Sequence, residues 1–410
     1  MAKGKPGAQW IINPAMKNRL ITDDTTDFLQ PASIQSASHF IKSVAGYQPT
    51  PLIHLSQLAS YWNLENIMVK DESHRFGLNA FKVLGGIYAV ANVICRKLDV
   101  KVDSMSFKEL TSNAVKEKIG NMVFVTATDG NHGRGIAWAA RQLGQKAVVF
   151  MPKGSSISRM ESIQNEGALV TITEMNYDDA VRHAKQYAEE CKGTIVQDTA
   201  WDNYEEIPRW IMQGYAVIAD EIRQQLVHEE NKQPTHIFLQ AGVGSFAAAI
   251  QGYLFEVYGE KQPIVVLMES DQADCFYRTA MIDDGLPHSV TGHMNTIMAG
   301  LACGEPNLIG WKILRKHTYA FVSCPDYLAA RGMRILAAPL PGDQPICSGE
   351  SGAIGIGLLD ELMHHESMAV FKHQLALDQN SRILFISTEG DTDPEQYRSI
   401  VWDGAYSSLS

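Results

Sequence analysis

Three stretches of this 410-residue chain combine residue types able to do chemistry, and each stands where an apolar run gives way to a helical one. The first is Val69-Lys70-Asp71-Glu72-Ser73-His74-Arg75-Phe76-Gly77-Leu78-Asn79-Ala80-Phe81-Lys82, running into the helical segment Val83 to Asn92. With Asn79 as N-cap, Lys82 falls in the first helical turn, where unpaired N–H groups disfavour a cation. A lysine desolvated there has a lowered pKa and can act as an amine nucleophile that forms a Schiff base. Taken alone, the same residue also reads as a solvated lysine at a helix start.

The second stretch is Thr126-Ala127-Thr128-Asp129-Gly130-Asn131-His132-Gly133-Arg134-Gly135, which closes a strand and opens the helical run Ile136 to Leu143. Its three glycines let the backbone approach a ligand, and the helix N-terminus behind them offers N–H donors to an anion. The alternative is a tightly capped turn with Asp129 or Asn131 as N-cap. His132 reads as a neighbour of that cap, since no second histidine motif pairs with it by spacing.

The third is the strand His236 to Gln240, then Ala241-Gly242-Val243-Gly244-Ser245, then the helical run Phe246 to Val257. Glycines between strand and helix, with a hydroxyl following, make a phosphate cradle of backbone N–H groups. The same residues fit the dinucleotide fingerprint G-x-G-x-x-A, with Glu269 standing where a ribose-binding acid would lie. That reading leaves Lys82 and the Asp129 loop without a role. It also puts the fingerprint after five candidate strands, although it ordinarily opens the first βαβ unit. An amine nucleophile, a phosphate cradle and a second anion-binding loop together suit pyridoxal phosphate and the carboxylate of an amino-acid substrate.

These loops need a frame, and the chain supplies an α/β pattern from about Asn66 onward. The expected strands are Ile67 to Val69, Met122 to Thr126, Ala147 to Met151, Leu169 to Thr173, Ile195 to Gln197, His236 to Gln240, Ile264 to Met268 and Ile383 to Ser387. Amphipathic runs such as Asp178 to Cys191 and Pro208 to Leu226 lie between them. The four strands from Met122 to Gln197 read as a small separate sheet, with the flanking halves building a larger domain around it. Strand and helix signals weaken over Lys97 to Gly120 and over Asp283 to Asn307.

Composition bounds the partners. Apolar residues make up 45% and charged residues 20% of the chain, ordinary values for a globular protein. The length points to two domains or one inserted in another. Met1 to Trp10 lack the apolar region of a secretory signal and no stretch is long and apolar enough to span a bilayer, so a cytoplasmic protein is the expectation. Six scattered cysteines without a C-x-x-C pair indicate no metal site and no disulfide framework. Cys275 and Cys303 flank the irregular region and could approach one another near the cleft, although a reducing compartment favours free thiols. A net charge of −11 argues against nucleic acid and anionic membrane and suits a small cationic substrate.

Lys82 after Asn79-Ala80-Phe81, the Gly130-Asn131-His132-Gly133 turn and the Gly242 to Ser245 loop, in that order and spacing, resemble the fold-type II pyridoxal-phosphate enzymes over roughly residues 45 to 390. The resemblance implies a large, twisted, mostly parallel sheet domain with a smaller parallel α/β domain inserted in it, divided at 1–86, 87–194 and 195–410. The cofactor would lie in the cleft between them, in a homodimer. It implies that Lys82 carries pyridoxal 5'-phosphate as a Schiff base and that Asn131 bonds the cofactor's 3-oxygen. Gly242, Val243, Gly244 and Ser245 would hold the phosphate, and Thr388 would meet the pyridine nitrogen with a neutral hydroxyl, which suits β-elimination.

Asp129 departs from the dehydratases of that family, which carry a small neutral residue at this place. With Thr126-Ala127-Thr128 before it, and with Thr296-Ile297-Met298-Ala299-Gly300-Leu301-Ala302-Cys303-Gly304-Glu305-Pro306 and Ser387 to Pro394 later, the chain is similar to the diaminopropionate ammonia-lyase family. That likeness implies α,β-elimination of 2,3-diaminopropionate, D and L, to pyruvate and two ammonia; a threonine or serine dehydratase is the alternative. Lys82 and Asp129 would be catalytic, on opposite faces of the cofactor. Thr128, Asp129, Gly130, His132 and Asp198 would meet the substrate, with Asp198 either a second acid in the cleft or a turn cap.

Overall fold

The computed structural model describes residues 7–18, 24–229 and 232–407; residues 1–6, part of the stretch read for a secretion signal, lie outside them. Eleven strands are described: β1 Gln9–Ile12, β2 Leu52–His54, β3 Asn66–Asp71, β4 Val123–Ala127, β5 Lys146–Met151, β6 Leu169–Ile172, β7 Thr194–Ile195, β8 His236–Gln240, β9 Ile264–Ser270, β10 Ala320–Cys324 and β11 Arg382–Ser387. They form a seven-stranded sheet, β1-β10-β9-β8-β11-β3-β2, and a four-stranded sheet, β6-β5-β4-β7. The smaller sheet is wholly parallel. The larger one is parallel save for its edges, where β1 pairs antiparallel with β10 and β2 with β3.

Parallel strands covered by helices on both faces are buried on both sides, so they read as unbroken apolar runs. Every residue of β8 and of β10 is buried. All eight expected strands are present with ends moved by a few residues. Three went unread: the short edge strands β1 and β2, and the buried β10, which begins soon after the helix Leu308–His317 with no glycine between them.

Lys97 to Gly120 also holds more order than expected. It carries the helices Phe107–Leu110 and Asn113–Ile119, the first opened by a capping box in which Ser106 and Glu109 bond each other's backbone N–H groups. Asp283 to Asn307 is irregular as expected, with a single described 3-10 turn, Ala299–Leu301. No described helix is long and apolar enough to cross a membrane.

The helix Val83–Leu98 joins the two sheets, and thirteen of its residues are buried. A Cβ on Gly85 would stand 2.9 Å from the Ile211 carbonyl, one on Gly214 2.5 Å from that of Leu84, and one on Gly135 3.0 Å from Cα of Val83. Glycine at these positions lets the helices Glu206–His228 and Asn131–Gln142 close directly onto the turn that follows Lys82.

Candidate active site

Open α/β sheets bind ligands beyond the carboxyl ends of their strands. Here the ends of β4, β8 and β11 face one cleft, lined by Lys82, Asn131, Asp198, Gly242, Val243, Gly244, Ser245, Thr388 and Glu389. Lys82 is itself the N-cap residue of Val83–Leu98, in place of Asn79. Asn79 takes a left-handed φ of 59° and donates from Nδ2 to Asp391 Oδ1 at 2.9 Å. The Phe81 ring, 4.8 Å from that of Tyr215 and 4.6 Å from that of Phe246, fixes the backbone beside Lys82.

Lys82 Nζ stands 2.7 Å from Asp198 Oδ2. The expected lowering of its pKa is reversed: burial pulls the value down, but the charge of Asp198, with contributions from Tyr215 and Asp129, carries it above the ordinary lysine value. Burial pushes Asp198 up, yet His132 and Lys82 outweigh it and hold the carboxyl down at about 2. His132 is buried, its Nε2 2.9 Å from the Val196 carbonyl oxygen and its Nδ1 3.8 Å from Asp198 Oδ2. Burial lowers its pKa against the opposing pull of Asp198.

The cap of the helix Asn131–Gln142 is Gly130, not Asp129 or Asn131. Thr128 supplies the capping oxygen: its Oγ1 accepts from the N–H groups of Gly130 at 2.9 Å and Gly133 at 3.0 Å, which turns this fully buried side chain away from the cleft. Asn131 Nδ2 donates to the Glu389 carboxylate. Asp129 opens onto an adjoining groove with Arg159, Glu350 and Asp393, its Oδ2 3.9 Å from the Arg159 guanidinium. Burial raises its pKa despite Lys82 and Arg159.

The Gly242 to Ser245 loop is a cradle that side chains would fill. A Cβ on Gly242 would stand 2.7 Å from the Gly300 carbonyl oxygen, and Gly244, at φ 90°, would set one 2.4 Å from Cζ of Phe276. Among the described residues the N–H groups of Gly242, Val243 and Gly244 donate to no backbone carbonyl. Ser245 opens the fourteen-residue helix Ser245–Tyr258. Asn307, a residue that sequence reasoning passed over, holds the loop: its Nδ2 donates to Ser245 Oγ at 2.5 Å and its N–H to the Val243 carbonyl at 2.8 Å.

Across the cleft, Thr388 Oγ1 accepts from Gln240 Nε2 at 2.9 Å, which leaves the threonine proton to donate elsewhere. Buried polar atoms lack hydrogen-bond partners in and around the cleft: Asp198 Oδ1 and Ser351 Oγ in residues that line it, His132 Nδ1 behind Asp198, and Arg159 Nε in the adjoining groove. An open cradle at a helix N-terminus, a lysine amine and these orphaned atoms fit pyridoxal phosphate and a small polar substrate.

The nicotinamide alternative fails on Glu269. Its carboxyl is buried and accepts from the N–H groups of Phe276 and Tyr277 at 2.8 and 2.7 Å, so it caps the helix Cys275–Ile282 and faces no ribose. Burial pushes its pKa up to about 8. Cys275 and Cys303 are buried, free thiols.

The sequence matches the model of the family described as pyridoxal-phosphate dependent enzyme over residues 44–368, and the chain belongs to that family, with its fold-type II architecture. It is 55% identical over 366 residues, 89% of this chain and 91% of the relative, to diaminopropionate ammonia-lyase of Salmonella typhimurium. To the protein of the same name from Escherichia coli it is 48% identical over 389 residues, 95% of this chain and 96% of that one. A crystal structure of diaminopropionate ammonia lyase from Escherichia coli in complex with D-serine is 45% identical, with a TM-score of 0.90 over 98% of both chains.

Proposed function

We propose that this chain eliminates the β-amine of 2,3-diaminopropionate, of either hand, and with one water yields pyruvate and two ammonia. The observation that carries the reading is the placing of two acids about one amine. Asp198 is bonded to Lys82 in the inner cleft, while Asp129 stands apart, beside Arg159, where the groove opens. When bound, pyridoxal phosphate supplies the electron sink for the pair left as Cα loses its proton.

Lys82 would hold the cofactor through its amine and, with that amine free, would take the Cα proton of the L-isomer from its own side. Asp198 orients that amine and holds its charge between turns. Asp129 takes the proton of the D-isomer from the other side. Its carboxylate also favours a substrate with a second ammonium: one unit charge at roughly 4 Å is worth on the order of 4 kcal/mol before desolvation. The N–H groups of Gly242 to Ser245 would hold the phosphate, Asn131 the 3-oxygen, and Thr388 the pyridine nitrogen. Gly130 and His132 flank the substrate, with Thr128 shaping their turn. The three-carbon enamine released hydrolyses in water.

We further propose a cytoplasmic homodimer, with the chain divided at 1–86, 87–194 and 195–410. The first boundary falls within the helix Val83–Leu98, which joins the two parts; the second falls within β7, an edge strand of the smaller sheet in which Ile195 still pairs with Val125. The test of function is direct. The purified protein is expected to be yellow, to incorporate borohydride label at Lys82 on peptide mapping, and to form pyruvate from DL-2,3-diaminopropionate. A label on another lysine would overturn the cofactor roles together.

A further inference from the structure

Glu389 has no part in the elimination as derived above, yet its side chain is buried in the inner cleft. Asn131 Nδ2 donates to its Oε2, and Thr392 Oγ1 donates to the same oxygen at 3.3 Å. The backbone around it is tied on several sides. Ala80 bridges it in antiparallel fashion, Gly349 N donates to its carbonyl at 2.9 Å, and Phe81 N donates to the carbonyl of Thr388 at 3.1 Å. A Cβ on Gly349 would stand 2.9 Å from Cγ of Glu389, so the absence of a side chain there gives the glutamate room to turn inward.

An asparagine amide has a donor end and an acceptor end of nearly the same size, so packing alone does not choose between them. A carboxylate does choose, because when ionised it only accepts; turning the amide over would set two oxygens against each other. We propose that Glu389 is a positioning residue that keeps the donor end of Asn131 in the cleft and so aims its second N–H at the cofactor's 3-oxygen. This rests on the reading of Asn131 as the partner of that oxygen. The contact joins the helix Asn131–Gln142, which packs on the smaller sheet, to the segment that follows β11 of the larger, so the amide is set from across the cleft.

The test uses protein reconstituted with pyridoxal phosphate and reads the position of the visible band, the cofactor dissociation constant and a melting curve. Glu389→Ala is expected to move the band and weaken cofactor binding about tenfold, the worth of a charge-assisted hydrogen bond. Glu389→Gln, which can accept from Asn131 but presents a donor end as readily, should restore only part of both. In an Asn131→Ala background, Glu389→Ala should add nothing. A folded Glu389→Ala protein with an unmoved band and unchanged cofactor affinity overturns the inference, as do fully additive losses in the double variant. If Glu389→Ala does not fold, Glu389→Asp, which withdraws the charge by one methylene, takes its place in the same cycle with smaller effects. A parent protein that takes up no cofactor at Lys82 would overturn the proposed function instead, whereas a yellow, Lys82-linked protein indifferent to Glu389 overturns this inference alone.

Discussion

Asp129 and Asp198 are carboxylates of neighbouring parts of one site, yet their surroundings drive them in opposite directions. Asp198 lies against Lys82 and is held down at about 2, while burial raises Asp129, whose cationic neighbour Arg159 stands 3.9 Å away. Pairs of titratable groups pushed apart in this way mark divided roles. Asp198 stays an anion that orients; Asp129, raised by burial, takes up a proton more readily than its neighbour. Asp129→Asn should therefore keep the visible band and lower D-isomer turnover by roughly a hundred- to ten-thousand-fold, the usual worth of a general base. L-isomer turnover should fall less. Steady-state rates on each isomer check this, and undiminished D-isomer activity in a normally folded variant would sink it. The sign of the pH dependence follows as well. A base must be ionised to act, and a raised pKa moves the acid limb upward, so D-isomer kcat/KM should begin to fall at a higher pH than an ordinary aspartate would dictate. A profile flat through the ordinary aspartate range and failing only below it would contradict that role.

At the scale of the element, the cradle between β8 and its helix works by leaving side chains out. Gly244 is the sharper case, because its φ of 90° strains an L-residue and an added Cβ would meet Phe276 at 2.4 Å. Gly244→Ala should lower stability by about 1–3 kcal/mol and weaken cofactor binding at least tenfold, measured by denaturant melts and by titration with pyridoxal phosphate. Gly46→Ala, also at positive φ but with nothing within 4 Å, is the control for backbone strain alone. The cradle was legible in the sequence because glycine spacing, a strand before it and a helix after it are all local signals. So were the parallel strands of the core other than β10, since burial on both faces writes itself as a short apolar run. The edge strands β1 and β2, of four and three residues, carry too little pattern to stand out. Asn307 and Glu389 escaped for another reason. Asn307 acts on a serine sixty-two positions earlier and Glu389 on an asparagine 258 positions earlier, and a single sequence shows no such pairing. Asp198 was placed in the cleft by its strand end, but its bond to Lys82, which reverses the expected direction of the lysine pKa, is a tertiary fact.

At the scale of the whole molecule, the site is also a joint. Asn131 and Arg159 reach from the side of the smaller sheet to Glu389 and to Thr392, the latter at 3.5 Å, while Arg134 Nη1 donates to the Leu78 carbonyl at 3.0 Å. These polar contacts cross a cleft in which buried Asp198 and Ser351 oxygens remain without partners. A cofactor bonded to Lys82 and cradled by Gly242 to Ser245 would tie the two sides together and favour only the folded state. A ligand that binds the native state alone stabilises it by about 2.7 kcal/mol at a hundred times its dissociation constant. Stripping pyridoxal phosphate should therefore lower the Tm by several degrees, and readdition should restore it in a concentration-dependent manner. Pyridoxal, which lacks the phosphate, should restore less at equal concentration, because the N–H groups of the cradle stay unanswered. Stripped protein should also be cut faster by protease within the irregular segment 283–307, which lines the cleft through Gly300, Leu301 and Cys303 and has little regular structure to hold it once the cradle is empty. Thermal scans of the stripped, pyridoxal-treated and reconstituted forms, with the first cleavage sites mapped, decide the matter. Identical melting of the three forms would mean that the two sheets are locked together without the cofactor, and that the orphaned atoms of the cleft stabilise nothing by finding partners.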